Sequence, residues 1–207
     1  MPDKIAEILL KLNAVIIRTE NPFKLVSGLL SPIYTDHRIL MSHPKEREFV
    51  NKSLIKLLKK KSIEFDAIAA TATAGIPWGA WISQKLNKPM IYVRGESKDH
   101  GRENLVEGVI EQNNKYLVVE DMVSTGKSSF NTVNAVREKG GIVEDCVAIF
   151  TYDFQKAKEN FDSSNVKLHT LTNFTNLAKS ALKKNYINKE QFVKITQWNK
   201  NPQAWIG

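Results

Sequence analysis

The stretch "KYLVVEDMVSTGKSS", Lys115 to Ser129, sets two carboxylates, Glu120 and Asp121, at the end of an apolar run and follows them with Ser124, Thr125, Gly126, Lys127 and Ser128. Carboxylates accept hydrogen bonds only, so their natural partners are donors such as the two hydroxyls of a sugar. The small, hydroxyl-bearing residues that follow suit the opposite charge: at a helix N-terminus, backbone amides and hydroxyls gather around an anion. Acid for the sugar and amides for its phosphate together describe a site for ribose 5-phosphate. The plainer alternative is a pair of solubilising charges followed by an ordinary helix cap. A nucleotide-triphosphate loop does not fit "TGKS", because that signature needs a glycine where Asp121 stands.

Ligands of open parallel sheets lie beyond the carboxyl ends of the strands, so residues that close other apolar runs matter equally. After "DAIAA" comes "TATAGIP", in which Thr71, Ala72, Thr73, Ala74 and Gly75 let backbone amides approach an anion at a helix start. After "MIYV" comes "RGESKDHGREN", a segment dense in charge that contains Arg94, Lys98 and His100 and is flanked by Gly95 and Gly101.

These three segments need strands to carry them and helices to follow. Apolar residues at Ile5, Ile8, Leu9 and Leu12, and again at Val50, Leu54, Leu57 and Leu58, recur at helical spacing. Between these helices, "FKLVSG" and "SPIYTDHR" are expected to be short strands of a separate cap, divided by Gly28 and Pro32. From Phe65 the pattern alternates: strand "FDAIAATAT", helix "GIPWGAWISQKL", strands "PMIYVRG" and "KYLVVED", helix "SSFNTVNAVREKG", strand "IVEDCVAIFTY". Near-continuous apolar strands are those of a sheet covered on both faces. The expected fold is α/β, a doubly wound, mostly parallel sheet with a small N-terminal cap. "VKLHTLTN" adds a last strand, and "LAKSALKKNYINKEQFVKITQW" one or two helices. The expected organisation is one domain over residues 1–207, with residues 1–44 and parts of 160–207 in the cap and about 45–160 in the core.

Composition narrows the field. A chain of 207 residues, 42% hydrophobic, supports one sizeable core. No stretch approaches the roughly 20 apolar residues of a membrane span, and the N-terminal run is interrupted by charge, so a soluble cytoplasmic protein is expected. The lone Cys146, inside "CVAIF", reads as a small buried hydrophobe. The net charge of +8 raises nucleic acid as a partner, but twenty-four of the thirty basic residues are scattered lysines. Without an arginine-rich face or interleaved aromatics, this is a solvated surface that also suits a polyanionic small molecule. His37, His43 and His169 show no metal spacing.

The segment "VVEDMVSTGKSS" resembles the ribose-phosphate signature of the type I phosphoribosyltransferases. The resemblance extends along the chain to the orotate-using members of that family through "FKLVSGLLSPIYTDHR", "TATAGIP", "YVRGESKDHG" and "NPQAWI", in that order. It implies the type I phosphoribosyltransferase fold and a reaction of orotate with 5-phosphoribosyl 1-diphosphate (PRPP), giving orotidine 5′-monophosphate and diphosphate in pyrimidine synthesis. Mg²⁺ would be carried by the diphosphate rather than by protein side chains. The resemblance also implies a homodimer whose loop 95–104 completes the neighbouring site, with Lys98 and His100 as catalytic groups. By the same resemblance, Arg94, Lys98, His100 and the run Glu120, Asp121, Met122, Val123, Ser124, Thr125, Gly126, Lys127 and Ser128 bind PRPP. Thr71 to Gly75 form the diphosphate loop, and Ser124, Tyr34 and Arg38 meet orotate. Some members carry lysine at the positions of Val26, of Gly95 or Glu96, and of Ala74; this sequence is uncharged or acidic there, as in a second branch of the family.

Two other readings differ in testable ways. A purine-type phosphoribosyltransferase, or a regulator that senses PRPP, would share the ribose-phosphate signature but not the "FKLVSGLLSPIYTDHR" cap. A basic nucleic-acid-binding protein would lack enzyme activity altogether.

Overall fold

The amphipathic N-terminal run forms α1 (Pro2–Lys11), which buries Ile5, Ala6, Ile8, Leu9 and Leu10. Four short strands follow: β1 (Val15–Ile17), β2 (Phe23–Lys24), β3 (Leu30–Ser31) and β4 (Ile33–Thr35). They pair antiparallel, β1 with β4 and β2 with β3. The extended segment expected through Arg38 stops at Thr35, and a 3-10 helix runs over His37–Ser42. The reason is local: the Asp36 carboxylate accepts the backbone N–H of Arg38 at 3.1 Å and caps the turn. The computed structural model describes residues 2–24, 30–95 and 105–205.

The chain continues through α2 (Pro44–Lys60), β5 (Ala67–Thr71), α3 (Gly75–Leu86), β6 (Met90–Val93), β7 (Val106–Glu107), β8 (Tyr116–Val119) and β9 (Met122–Val123). Then come α4 (Lys127–Glu138), β10 (Asp145–Thr151), α5 (Gln155–Ser163), β11 (Lys167–Asn173), α6 (Phe174–Lys183) and α7 (Lys189–Lys200). Two compact units result, Met1–Glu48 with Thr172–Gly207, and Phe49–Leu171.

In the first unit α1 packs on α6, and α6 on α7. The helical tail divides in two because Asn185 adopts the left-handed conformation, with φ 59°. Asn188 then caps α7 through reciprocal bonds with Gln191 at 2.8 and 2.9 Å.

The second unit is built on a sheet of order β11-β10-β8-β5-β6-β7, with β9 pairing β10. The β10/β8, β8/β5 and β5/β6 pairs are parallel, and β7 returns antiparallel on β6. One face buries Ala69, Val93, Tyr116 and Val118 in a cluster shared with Val133 and Val136 of α4 and Phe161 of α5. On the other face α3 lies so close that a Cβ on Gly79 would sit 2.8 Å from that of Ala70. Helices on both faces make the sheet doubly wound and leave only strand ends for a ligand. Each large apolar side chain buried this way contributes roughly 1.5–3 kcal/mol. Cys146 is 0% exposed within β10, and burial pushes its thiol far above the ordinary range. Among the described residues no helix is long and apolar enough to cross a membrane.

Candidate active site

The strands β5 and β8 are parallel neighbours paired through Ala70 and Val119. The residues that follow them therefore leave the sheet side by side. Ala72 to Ala74 form one wall of a cavity of about 520 Å³; Glu120, Asp121 and Met122 form its base, and Ser124 to Ser128 with Asn131 the opposite wall. The peptide between Ala72 and Thr73 is cis.

Both walls run into helix starts. Position 75 must be glycine, since a Cβ there would approach the Val119 carbonyl oxygen to 2.5 Å. That contact seats the first turn of α3 directly on the end of β8. Gly126 precedes α4 with φ 79°, a left-handed conformation that glycine adopts without steric cost. Neither helix start carries a side-chain cap. The first turn of α4 opens into the cavity through Gly126, Lys127 and Ser128, where uncapped amide donors favour an anion, whereas α3 begins one residue behind Ala74 of the other wall.

The two acids are not equivalent. Glu120 is 5% exposed; it accepts the Ser128 hydroxyl at 2.9 Å and the Asp121 backbone N–H at 3.1 Å. Burial first, and the neighbouring Asp121 charge second, push its carboxyl well above the ordinary glutamate range, against the pull of these donors. Asp121 is half-exposed. The Ser128 hydroxyl, which the sequence places around a phosphate, is instead directed at Glu120.

Three groups that sequence reasoning did not single out hold the walls. Asn160, on α5, donates its side-chain amide to the Thr125 carbonyl at 2.8 Å. The Phe161 ring lies 2.9 Å from where a Cβ on Gly126 would be. Thr132, on α4, meets Thr71 hydroxyl to hydroxyl at 2.9 Å. The spacing of Ala157 and Phe161 was the one signal for α5, and nothing in the sequence distinguishes Thr132 from any other helical threonine.

Of the remaining expected residues, Met122 lines the cavity whereas Val123 points into the core. Thr71 and Gly75 are buried behind the first wall. Arg94 pairs with Glu107 at 3.1 Å, and its backbone N–H donates to Leu105 at 2.8 Å. Lys98 and His100 lie outside the described residues. Tyr34 and Arg38 belong to the first unit. There the Tyr34 ring lies 5.4 Å from Phe23, and Arg38 forks onto Asp36 at 2.7 and 2.9 Å, holding that carboxyl below its usual range. His169 contacts Asp145 at 2.7 Å.

A mostly parallel sheet in this order, wrapped on both faces and with its ligand-ready loops at the strand ends, is the type I phosphoribosyltransferase fold. No protein-family model matches the chain. It is 43% identical to the orotate phosphoribosyltransferase of Coxiella burnetii over 202 residues, which is 98% of this chain and 97% of that one. It is 45% identical to that of Listeria innocua over the same shares of both chains. The crystal structure of orotate phosphoribosyltransferase from Aeropyrum pernix superposes with a TM-score of 0.77 at 27% identity, covering 89% of this chain and 99% of that one. The chain belongs to the orotate phosphoribosyltransferase family of enzymes.

Proposed function

We propose that the cavity between Ala72–Ala74 and Ser124–Ser128 holds PRPP, and that this enzyme transfers its ribose 5-phosphate to orotate in pyrimidine synthesis. The observation that carries the reading is the placement of an acid pair between two uncapped helix starts. A ribose with phosphate on one side and diphosphate on the other presents hydroxyls and anions in that arrangement. The first turn of α4 takes the 5-phosphate, the Ala72–Ala74 loop and α3 take the diphosphate, and the acid pair accepts the ribose hydroxyls.

The orotate ring nitrogen attacks ribose C1 as the bond from C1 to diphosphate breaks, and the proton lost from that nitrogen is taken up by the released diphosphate or by solvent. Positive charge develops on the sugar and negative charge on the leaving group. The fixed amides of the Ala72–Ala74 wall meet that negative charge without reorganising, and Arg94, Lys98 and His100 add to it. Ser124 is assigned to orotate. Closure of loop 95–104 from the second subunit of a homodimer would exclude the water that hydrolyses PRPP.

Mg²⁺ carried on the diphosphate would neutralise the leaving group. Among the described residues no group of three or more histidine, cysteine or acidic side chains gathers to hold a metal. The cavity supplies two carboxylates, of which Glu120 already accepts two hydrogen bonds. So sparse a donor set suits a cation that brings most of its oxygens with its substrate and water. A cytoplasmic location is the setting proposed for this chemistry.

The test is to supply PRPP, Mg²⁺ and either orotate or a set of purines and to follow the ultraviolet loss of orotate. Orotate consumption with inert purines is the expected result; turnover of adenine or hypoxanthine with inert orotate would overturn the base assignment.

A further inference from the structure

Between the two walls of the cavity runs a line of hydroxyls, buried at its Thr71–Thr132 end and exposed at Ser128. Thr71 ends β5, immediately before Ala72 of the first wall. Its Oγ1 lies 2.9 Å from Oγ1 of Thr132, one turn beyond Ser128 on α4. Thr132 Oγ1 in turn donates to the Ser128 carbonyl at 3.3 Å. The Ser128 hydroxyl continues the line to Glu120 at 2.9 Å. Thr71 and Thr132 are 3% and 1% exposed, so water cannot substitute for either hydroxyl. With Thr132 donating to Ser128, the Thr71 hydroxyl supplies the proton of the pair, and every link has a donor and an acceptor.

We propose that Thr132 is a positioning residue that fixes the separation of the two anion-binding walls, so that they act together on a substrate carrying a phosphate at one end and a diphosphate at the other. The inference rests on the reading of the cavity as the PRPP site. Thr132 does not line the cavity, so it contributes no contact to substrate; its effect passes through the two loops it joins. A second close contact supports the coupling. Gly75 rests against the carbonyl of Val119, so the first wall already touches the strand that delivers Glu120. Thr132 closes this arrangement from the α4 side.

A residue that sets a span has a distinctive signature. Ligands that occupy one wall, ribose 5-phosphate or inorganic diphosphate, need only their own loop. PRPP, which bridges both, needs them at a fixed separation. In Thr132→Val, which preserves shape and removes the hydroxyl, PRPP binding measured by calorimetry should weaken about tenfold, the order expected for one buried hydrogen bond. Ribose 5-phosphate and diphosphate should each change less than about twofold, well below what one lost hydrogen bond would give. KM for PRPP should rise with little change in kcat, and Thr132→Ser should restore both. Thr71→Val removes the other end of the bridge and should weaken PRPP to the same extent while leaving ribose 5-phosphate within about twofold, with the double variant no worse than either single one. It carries the test if Thr132→Val does not fold. Unchanged PRPP affinity in the folded valine variants would overturn the proposal. So would a parallel loss for all three ligands, which would mark general damage. Wild-type protein that neither binds PRPP nor consumes orotate would overturn the PRPP reading itself, and this inference with it.

Discussion

The Ser128 hydroxyl donates to Glu120 Oε2 at 2.9 Å, joining the first turn of α4 to the end of β8 beneath the cavity. Glu120 is thereby a structural acid as much as a ligand-facing one, and its burial beside Asp121, which outweighs the pull of the Ser128 donor, gives stability a pH dependence. A carboxyl whose folded pKa is raised holds its proton in the native state after the unfolded chain has released it. Stability is then full below the ordinary value of 4.5 and declines as pH rises from there through the raised native pKa. Glu120→Gln should remove that decline. Denaturant unfolding of both proteins from acid to neutral pH measures it, and identical slopes would refute the assignment.

Asp121 makes the complementary case. It is half-exposed at the base of the cavity, so Asp121→Asn should leave stability within about 0.5 kcal/mol. If it accepts ribose hydroxyls, kcat/KM for PRPP should fall roughly 10- to 100-fold, the range of a lost hydrogen bond to a charged group. An unchanged rate in the folded variant would return the residue to a solubilising charge.

Gly126 is constrained twice, by its φ of 79° and by the Phe161 ring 2.9 Å from a would-be Cβ. Gly126→Ala should destabilise the protein by about 1–2 kcal/mol from backbone conformation alone. It should also raise KM for PRPP by displacing the α4 start. Thermal unfolding and steady-state kinetics together separate the two effects.

The hydrogen bond from Asn160 to the Thr125 carbonyl is exposed at its edge, so water can replace part of it. Asn160→Ala should cost at most about 1 kcal/mol of stability. KM for PRPP should rise several-fold with kcat retained, the pattern of a lost ground-state grip.

The proposed homodimer yields a sharper test. Suppose Lys98→Ala and Asp121→Asn each leave only a small residual turnover as homodimers. If loop 95–104 serves the neighbouring subunit, a mixed dimer concentrates both defects in one site and leaves the other whole. Random re-association of equal amounts should then recover about a quarter of wild-type activity. No recovery, with mixed dimers confirmed by mass spectrometry, would assign Lys98 to its own chain.

What the sequence reveals follows from how local its causes are. The helix read from "GIPWGAWISQKL" is α3 to the residue, because Gly75 and the turn at Asn87 bound it within the chain itself. The apolar strands and the loops after them were legible for the same reason. The burial of Glu120 was not, since a charge after "YLVV" looks the same whether Ser128 folds back onto it or water does. Helix α5 is not legible in the sequence because its charged face outweighs Ala157 and Phe161, which matter only through the α4 side of the sheet they meet. The Thr71–Thr132 pair joins residues 61 apart in sequence. No period or spacing connects two such positions.

Cys146 gives this architecture a built-in reporter. It is the single thiol of the chain and is sealed inside β10. A thiol-specific reagent can reach it only when the central sheet opens, so the labelling rate measures the population of opened molecules without any introduced probe. A ligand that binds the folded site should slow labelling in proportion to its occupancy. PRPP, ribose 5-phosphate and diphosphate can therefore be ranked on the unmodified protein, with the core strand itself as the detector.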